Sequence, residues 1–203
     1  MFKRQHQRFI ERLESSLGPT AASAVLFFLE VVQIIVVSVA IILPVRYFLI
    51  QPFVVRGASM EPNFYDHEYL IIDELSYRFG EPERGNIVVF RYPRDETQFF
   101  IKRVIGLPGE TVDVSDGAVT IYNDEFPVGK VLEEPYIGSE QTLGKKRTEL
   151  SESEYFVMGD NRGYSLDSRS FGPVQKDEII GRVWFRGFPF NRVSGFPVPE
   201  YNF

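Results

Sequence analysis

Cysteine is absent from the 203 residues, and histidine occurs only as His6 and His67. The first absence excludes disulfides, thiolate metal sites and a cysteine nucleophile. The second leaves no histidine cluster, and no HExxH spacing occurs, so no metal and no cofactor is expected. A basic surplus is lacking too. The formal net charge is −6, whereas binding nucleic acid needs a basic face, so no nucleic-acid partner is expected. No internal repeat is visible. The chain is 44% hydrophobic and 25% charged, the balance of a globular protein rather than a disordered one. Its length suits one sizeable domain with an anchor and falls short of two full domains.

The charge is unevenly placed. Residues 1–20 carry Lys3, Arg4, Arg8 and Arg12 against Glu11 and Glu14, whereas residues 49–203 have a net charge of −8. Between them runs "AASAVLFFLEVVQIIVVSVAIILPVRYFLIQPFVV", in which only Glu30, Gln33 and Ser38 are polar between Ala24 and Leu43. About 20 apolar residues span a bilayer core. A cleaved signal peptide is the alternative, but it has a shorter apolar core and a small-residue exit; here Pro44, Val45, Arg46 and Tyr47 follow. The expected organisation is therefore a cytoplasmic basic tail (1–20), a transmembrane anchor (21–48) and an extracytoplasmic domain (49–203). The orientation follows from the basic residues before the span. Glu30 and Gln33 share a helix face, either as a contact for a partner helix or because Glu30 sits at the inner headgroups.

Past the anchor the helical spacing stops. "EYLIIDEL" (68–75), "NIVVFRY" (86–92), "QFFIKRVIG" (98–106), "EYFVMGD" (154–160) and "EIIGRVWFRGF" (178–188) are short β-branched or aromatic runs between turn residues. In "TVDVSDGAVTIYNDEF" (111–126) the alternation on either side of Asp116-Gly117 predicts a hairpin. The stretch 133–153 has no periodicity and reads as an exposed excursion. An all-β domain is predicted, with the anchor as the one long helix.

"RGASMEPNF" (56–64) places a small, accessible hydroxyl, Ser59, just beyond the anchor. A serine needs a base to become a nucleophile. His67 is one candidate, but it lies in the polar cluster "YDHEY". Lys102 is the other. If 98–105 is a strand, Lys102 shares a face with Phe100 and Val104, and Arg103 points the other way. Apolar burial lowers a lysine pKa by up to roughly 3–5 units, so that a neutral amine could take the serine proton. A third segment, "MGDNRGYSLDSRSFGPV" (158–174), is too polar for an apolar core. It is either a solvated loop or a hydrogen-bonded scaffold, with Asp167 paired to Arg169 and Ser165 offering a hydroxyl.

"GASMEP", "GNIVVFRYP", "FIKRVIGLPGE" and "GDNRGYSLDSRSFGPV", in that order after an amino-terminal anchor, together resemble type I signal peptidase, the bacterial leader peptidase, over roughly residues 45–188. The resemblance implies a signal-peptidase-like all-β catalytic domain with an extended core and a variable insertion, here about 107–153. It implies Ser59 as nucleophile and Lys102 as general base, with Ser165 hydrogen-bonding the lysine and Asp167–Arg169 as a supporting ion pair. Some members carry a serine or threonine two residues before the nucleophile to complete the oxyanion hole. This chain has Gly57, which leaves that task to the Ser59 N–H. Asn63 and Phe171 depart from a frequent threonine and tryptophan, and "KKR" (145–147) reads as a solvated turn. The implied partners are exported preproteins whose signal peptides end in A-x-A sites and the lipid of the plasma (inner) membrane, against which "FLIQPFVV" could rest. Other Ser/Lys peptidases and a non-cutting peptide-binding domain are the rival readings. The repressor-type relatives of the former have no use for an anchor, and the latter has no need of an intact dyad.

Overall fold

The computed structural model describes residues 15–16, 18–48, 50–138, 141–196, 198–199 and 201. The chain divides into two compact units, with the boundary between Tyr47 and Phe48. The first holds α1 (Pro19–Phe48), 30 residues long. Its segment Pro19–Leu43 is long and apolar enough to cross a membrane.

The second unit follows from the alternating runs. Its strands are β1 (Ile50–Val54), β2 (Tyr69–Asp73), β3 (Ile87–Tyr92), β4 (Asp95–Gly106), β5 (Thr111–Ser115), β6 (Ala118–Tyr122), β7 (Lys130–Val131), β8 (Lys146–Glu149), β9 (Glu154–Met158), β10 (Val174–Gln175), β11 (Ile179–Phe188) and β12 (Ser194–Gly195). Two short helices, α2 (Leu75–Phe79) and α3 (Ser168–Phe171), interrupt them. The larger sheet has eight strands in the order β1-β2-β11-β3-β4-β9-β10, with β12 on β11; the smaller has four, β7-β6-β5-β8. Every pairing within them is antiparallel. The smaller sheet lies wholly within residues 111–149, inside the stretch expected as an insertion. The turn between β5 and β6 has positive φ at both Asp116 (52°) and Gly117 (84°), as a tight two-residue hairpin turn requires.

Buried apolar residues form three clusters. One joins the sheets through Ile105, Val112, Ile121 and Phe156. A second, with Val55, Met60, Phe64, Leu70 and Val89, underlies the segment after β1. A third, with Val88, Phe90, Val104 and Val157, lies among β3, β4 and β9.

Two expectations change. Residues 133–153 are no free excursion: β8 pairs with β5, and Ile137, Thr142 and Leu150 are buried. Strand order supplies what periodicity lacked, because an edge strand with one solvated face needs few apolar residues. "KKR" accordingly runs into β8, where Arg147 pairs with Asp113 at 3.4 Å and lies over the Tyr122 ring. The approach to Ser59 is also a strand. β1 pairs with β2, and Phe53 packs on the second cluster and meets Phe99 edge-on at 5.7 Å. The side chain of Phe48 lies outside the described residues.

Candidate active site

Ser59 sits in the connection between β1 and β2. The ladder of those strands is prolonged by Val55 N–H to Glu68 O and His67 N–H to Val55 O, each 2.9 Å. Met60 and Phe64 anchor the connection from below, 1% and 0% exposed. Gly57 has φ +84°, a backbone that favours glycine, and its N–H donates to Asp66 Oδ1 at 2.9 Å. The Ala58 carbonyl accepts from Asn161 Nδ2 at 3.0 Å, and the Ser59 carbonyl from the Asn161 N–H at 3.1 Å.

Lys102 lies on β4 opposite Val88 of β3. Only 4% of the residue is exposed. Its Nζ is 2.8 Å from Ser59 Oγ, donates to the Ile101 carbonyl at 2.8 Å, and lies 5.3 Å from the Phe100 ring centroid. Burial pushes its pKa down from 10.5 to about 8, against the opposing pull of the Asp167 and Asp160 charges. A substantial fraction of the amine is therefore neutral near pH 8, able to accept a proton from the hydroxyl it touches.

The neighbouring side chain goes elsewhere, as strand alternation demands. Arg103 makes a two-pronged contact with Asp160, Nε to Oδ1 at 2.8 Å and Nη2 to Oδ2 at 2.7 Å. Asp160 is completely buried, and Asn63 Nδ2 reaches its Oδ2 at 2.8 Å. Asn63, where a threonine is frequent in the family it resembles, thus braces the ion pair beside the lysine.

The segment 158–174 is a hydrogen-bonded scaffold whose charged residues are turned inward, with Asp160, Arg162, Asp167 and Ser168 each at most 2% exposed, while Tyr164 and Leu166 stay exposed. Asp167 and Arg169 pair through Nε–Oδ1 and Nη2–Oδ2, both 2.8 Å, and the same carboxylate accepts from the Gly159 N–H at 3.1 Å. Burial opposes the charge of Asp167, but Arg169 outweighs it and holds the carboxyl below the usual range. Arg162 reaches Glu134 at 2.8 and 2.5 Å, tying the scaffold to the stretch that looked like an excursion.

Ser165 differs from expectation. Its hydroxyl oxygen is buried without a well-formed hydrogen bond, and it stands close enough to Asp167 to help hold that carboxyl down. The lysine's bonds go to Ser59 and Ile101 instead, so the expected Lys102–Ser165 bond is not formed in this structure. Gly159 lies against it: a Cβ there would stand 2.2 Å from Ser165 Oγ and 2.4 Å from the Ser59 carbonyl oxygen. Gly159→Ala must push the Ser59 backbone or the Ser165 side chain aside. Misplacement by about 1 Å costs on the order of 100-fold, so we expect at least that loss of kcat/KM; a variant within about threefold of wild type would show the backbone can yield.

His67 is 85% exposed and meets Asp66, with Nδ1 2.7 Å from Oδ2. It does not touch Ser59. Beside the serine and lysine runs a cleft of about 590 Å³, whose lining includes Phe53, Val55, Leu70, Ile101, Tyr164 and Leu166. No group of acidic or histidine side chains able to hold a metal occurs among the described residues.

Sequence reading missed Asp66, Asp160 and Asn161. In the sequence Arg103 reads only as pointing away from Lys102, although a cation on the opposite face of a buried strand needs a carboxylate. Which carboxylate it meets is not signalled there.

The family described as signal peptidase, peptidase S26, matches residues 28–188. A probable signal peptidase I-2 of Synechocystis is 37% identical over 173 residues, 82% of this chain and 76% of that one. Signal peptidase I T of Bacillus subtilis is 35% identical over 194 residues, 90% and 97% of the two chains. A crystal structure of a signal peptidase I from Enterococcus faecalis V583 is 33% identical, covering 51% of this chain and 97% of its own at a TM-score of 0.44. With its apolar amino-terminal helix and this kinship, the chain belongs to the S26 signal peptidase family as a membrane-anchored serine peptidase.

Proposed function

We propose that the protein removes signal peptides from exported preproteins with Ser59 as nucleophile and Lys102 as its base. The observation that carries this reading is the 2.8 Å contact between Lys102 Nζ and Ser59 Oγ, made by a lysine whose pKa is about 8. Neutral Lys102 takes the Ser59 proton as Oγ attacks the scissile carbonyl. The Ser59 N–H, which donates to no acceptor among the described residues, stabilises the oxyanion. The lysine then hands its proton to the departing amine of the mature chain. Neutral Lys102 next takes a proton from water as its oxygen attacks the acyl carbonyl, and returns that proton to Ser59 Oγ as the ester bond breaks and the signal peptide leaves.

Substrate lies extended along the cleft, whose apolar walls favour small side chains of the A-x-A type before the cut. Asp167–Arg169 supports the lysine's surroundings, and Gly57 supplies the backbone turn before the nucleophile. Lys3, Arg4, Arg8 and Arg12 keep the amino terminus in the cytoplasm, so that the β unit works outside the plasma membrane. Tethering enzyme and substrate to one membrane raises their effective concentration, and the surrounding lipid is a working partner.

Cleavage of an A-x-A preprotein by the full chain in lipid, followed from pH 6 to 10, tests this. We expect kcat/KM to rise with pH through an apparent pKa near that of the lysine, about 8, because the base works in its neutral form. Replacing the last alanine by a bulky residue should stop cutting. A profile flat across this range, or efficient cutting after the bulky residue, would sink the reading.

A further inference from the structure

The connection that carries Ser59 is also held from outside the cleft. Asp66 stands there with its side chain 47% exposed. Its Oδ1 accepts the Gly57 N–H at 2.9 Å, and its Oδ2 lies 2.7 Å from His67 Nδ1. At Gly57 a side chain would meet nothing within 4 Å. The Asp66 bond holds that peptide where no side chain of its own could. On its far side, the Ala58 and Ser59 carbonyls are both held by Asn161. The Asp66 bond holds the Gly57 N–H at one end of this turn, and the Asn161 bonds hold the Ala58 carbonyl, which shares a peptide plane with the Ser59 N–H, at the other; between them the direction of that N–H is set.

We propose that Asp66 is a positioning residue for catalysis: its carboxylate fixes the Gly57 peptide and so aims the Ser59 N–H, while His67 steadies the carboxylate. The inference rests on Ser59 being the nucleophile. A carboxylate accepting a backbone N–H makes a charge-assisted bond, stronger than a neutral one. It is suited to holding a glycine that would otherwise move freely. Because the aimed donor acts on charge that appears only in the transition state, its loss lowers kcat and leaves KM nearly unchanged.

The test uses the full chain in lipid, an A-x-A preprotein, and a peptide aldehyde whose serine adduct mimics the oxyanion. Removing an oxyanion donor outright costs about 10²–10³ in kcat, and loosening one should cost less. We expect Asp66→Ala to lower kcat about tenfold with KM within about twofold, and to weaken the aldehyde by a similar factor. Asp66→Asn keeps an acceptor oxygen and should recover to within about threefold of wild type. Should the alanine variant melt early, Asp66→Glu, which displaces the carboxylate and keeps its charge, carries the alanine expectation. Unchanged kcat and aldehyde affinity in Asp66→Ala, a loss confined to KM, or an asparagine variant as impaired as alanine each overturns the proposal. Ser59→Ala separates the two readings. If it still cuts, the nucleophile is wrong; if it is dead while Asp66→Ala is fully active, only the role of Asp66 fails.

Discussion

Ser59→Ala and Lys102→Met should each leave an intact fold that no longer cuts preprotein, while His67→Ala stays within about threefold of wild type. Loss of an activated serine nucleophile costs on the order of 10⁶ in kcat, and loss of a general base about 10²–10⁴. Lys102→Met should also be at least as stable as wild type at neutral pH, and this separates catalytic loss from unfolding. The sign follows from linkage. The folded pKa, about 8, lies below the ordinary 10.5, so folding favours the neutral amine. The cost of burying the charged form is full below pH 8 and fades as pH rises towards 10.5. Methionine fills the same channel without that cost. Single-turnover cleavage and thermal melts at pH 7 check both halves. An active Lys102→Met variant, or an active His67-dependent enzyme without the lysine, would require the site to be rebuilt around another base.

The second large effect should come from Arg103→Met. It strips the Asp160 carboxylate, which is completely buried, of its two-pronged partner and leaves it the Asn63 amide and the field of Arg162. Breaking one side of a buried pair costs about 3–5 kcal/mol. For a domain of this size, where each kcal/mol moves the melting temperature by about 2–4 °C, the midpoint should fall by about 10 °C. The uncompensated Asp160 charge also raises the Lys102 pKa, the direction in which that carboxylate already acts. The pH profile of whatever folded enzyme remains therefore moves upward, and activity at neutral pH drops beyond the loss of folded protein. Replacing Asp160 by leucine in the same chain should recover much of the melting temperature, because a well-packed apolar pair is often as stable as a buried ionic one. A midpoint within about 2 °C of wild type for Arg103→Met would show that water or another cation reaches Asp160.

Much of this was legible in the residues, and the limits have physical causes. Strands with two buried faces or strict alternation, such as "NIVVFRY" and the hairpin at Asp116-Gly117, announce themselves because every side chain has a fixed side. β1 and β8 did not. The first follows an apolar span without a break in composition, and the second is an edge strand rich in lysine and arginine. The juxtaposition of Lys102 with Ser59 could be argued only as a possibility from alternation and from resemblance; the 2.8 Å contact depends on where two distant strands settle. The scaffold 158–174 shows its polar composition in the sequence but not its burial. A serine such as Ser165 carries no mark of which neighbour it will face. Asp66 and Asn161 were illegible for a further reason. Both act on backbone groups, and a backbone bond leaves no trace in the identity of its partner.

The strand order of the larger sheet also bears on when the site can exist. The connection carrying Ser59 follows β1 and leads into β2, whereas Lys102 rides on β4, which pairs with β3. Between β2 and β3 lies β11 (Ile179–Phe188), bonded to both and followed in the chain by β12 alone among the strands. The two halves of the proposed dyad are thus stitched together by a segment synthesised after both. Until that strand is inserted, serine and lysine belong to separate hairpins, and a chain emerging from the ribosome carries a hydroxyl without the lysine beside it. Late closure of a sheet by a distant strand is the slow step expected of such topology. For a peptidase surrounded by nascent chains, including its own kind, order of synthesis acts as a safety catch.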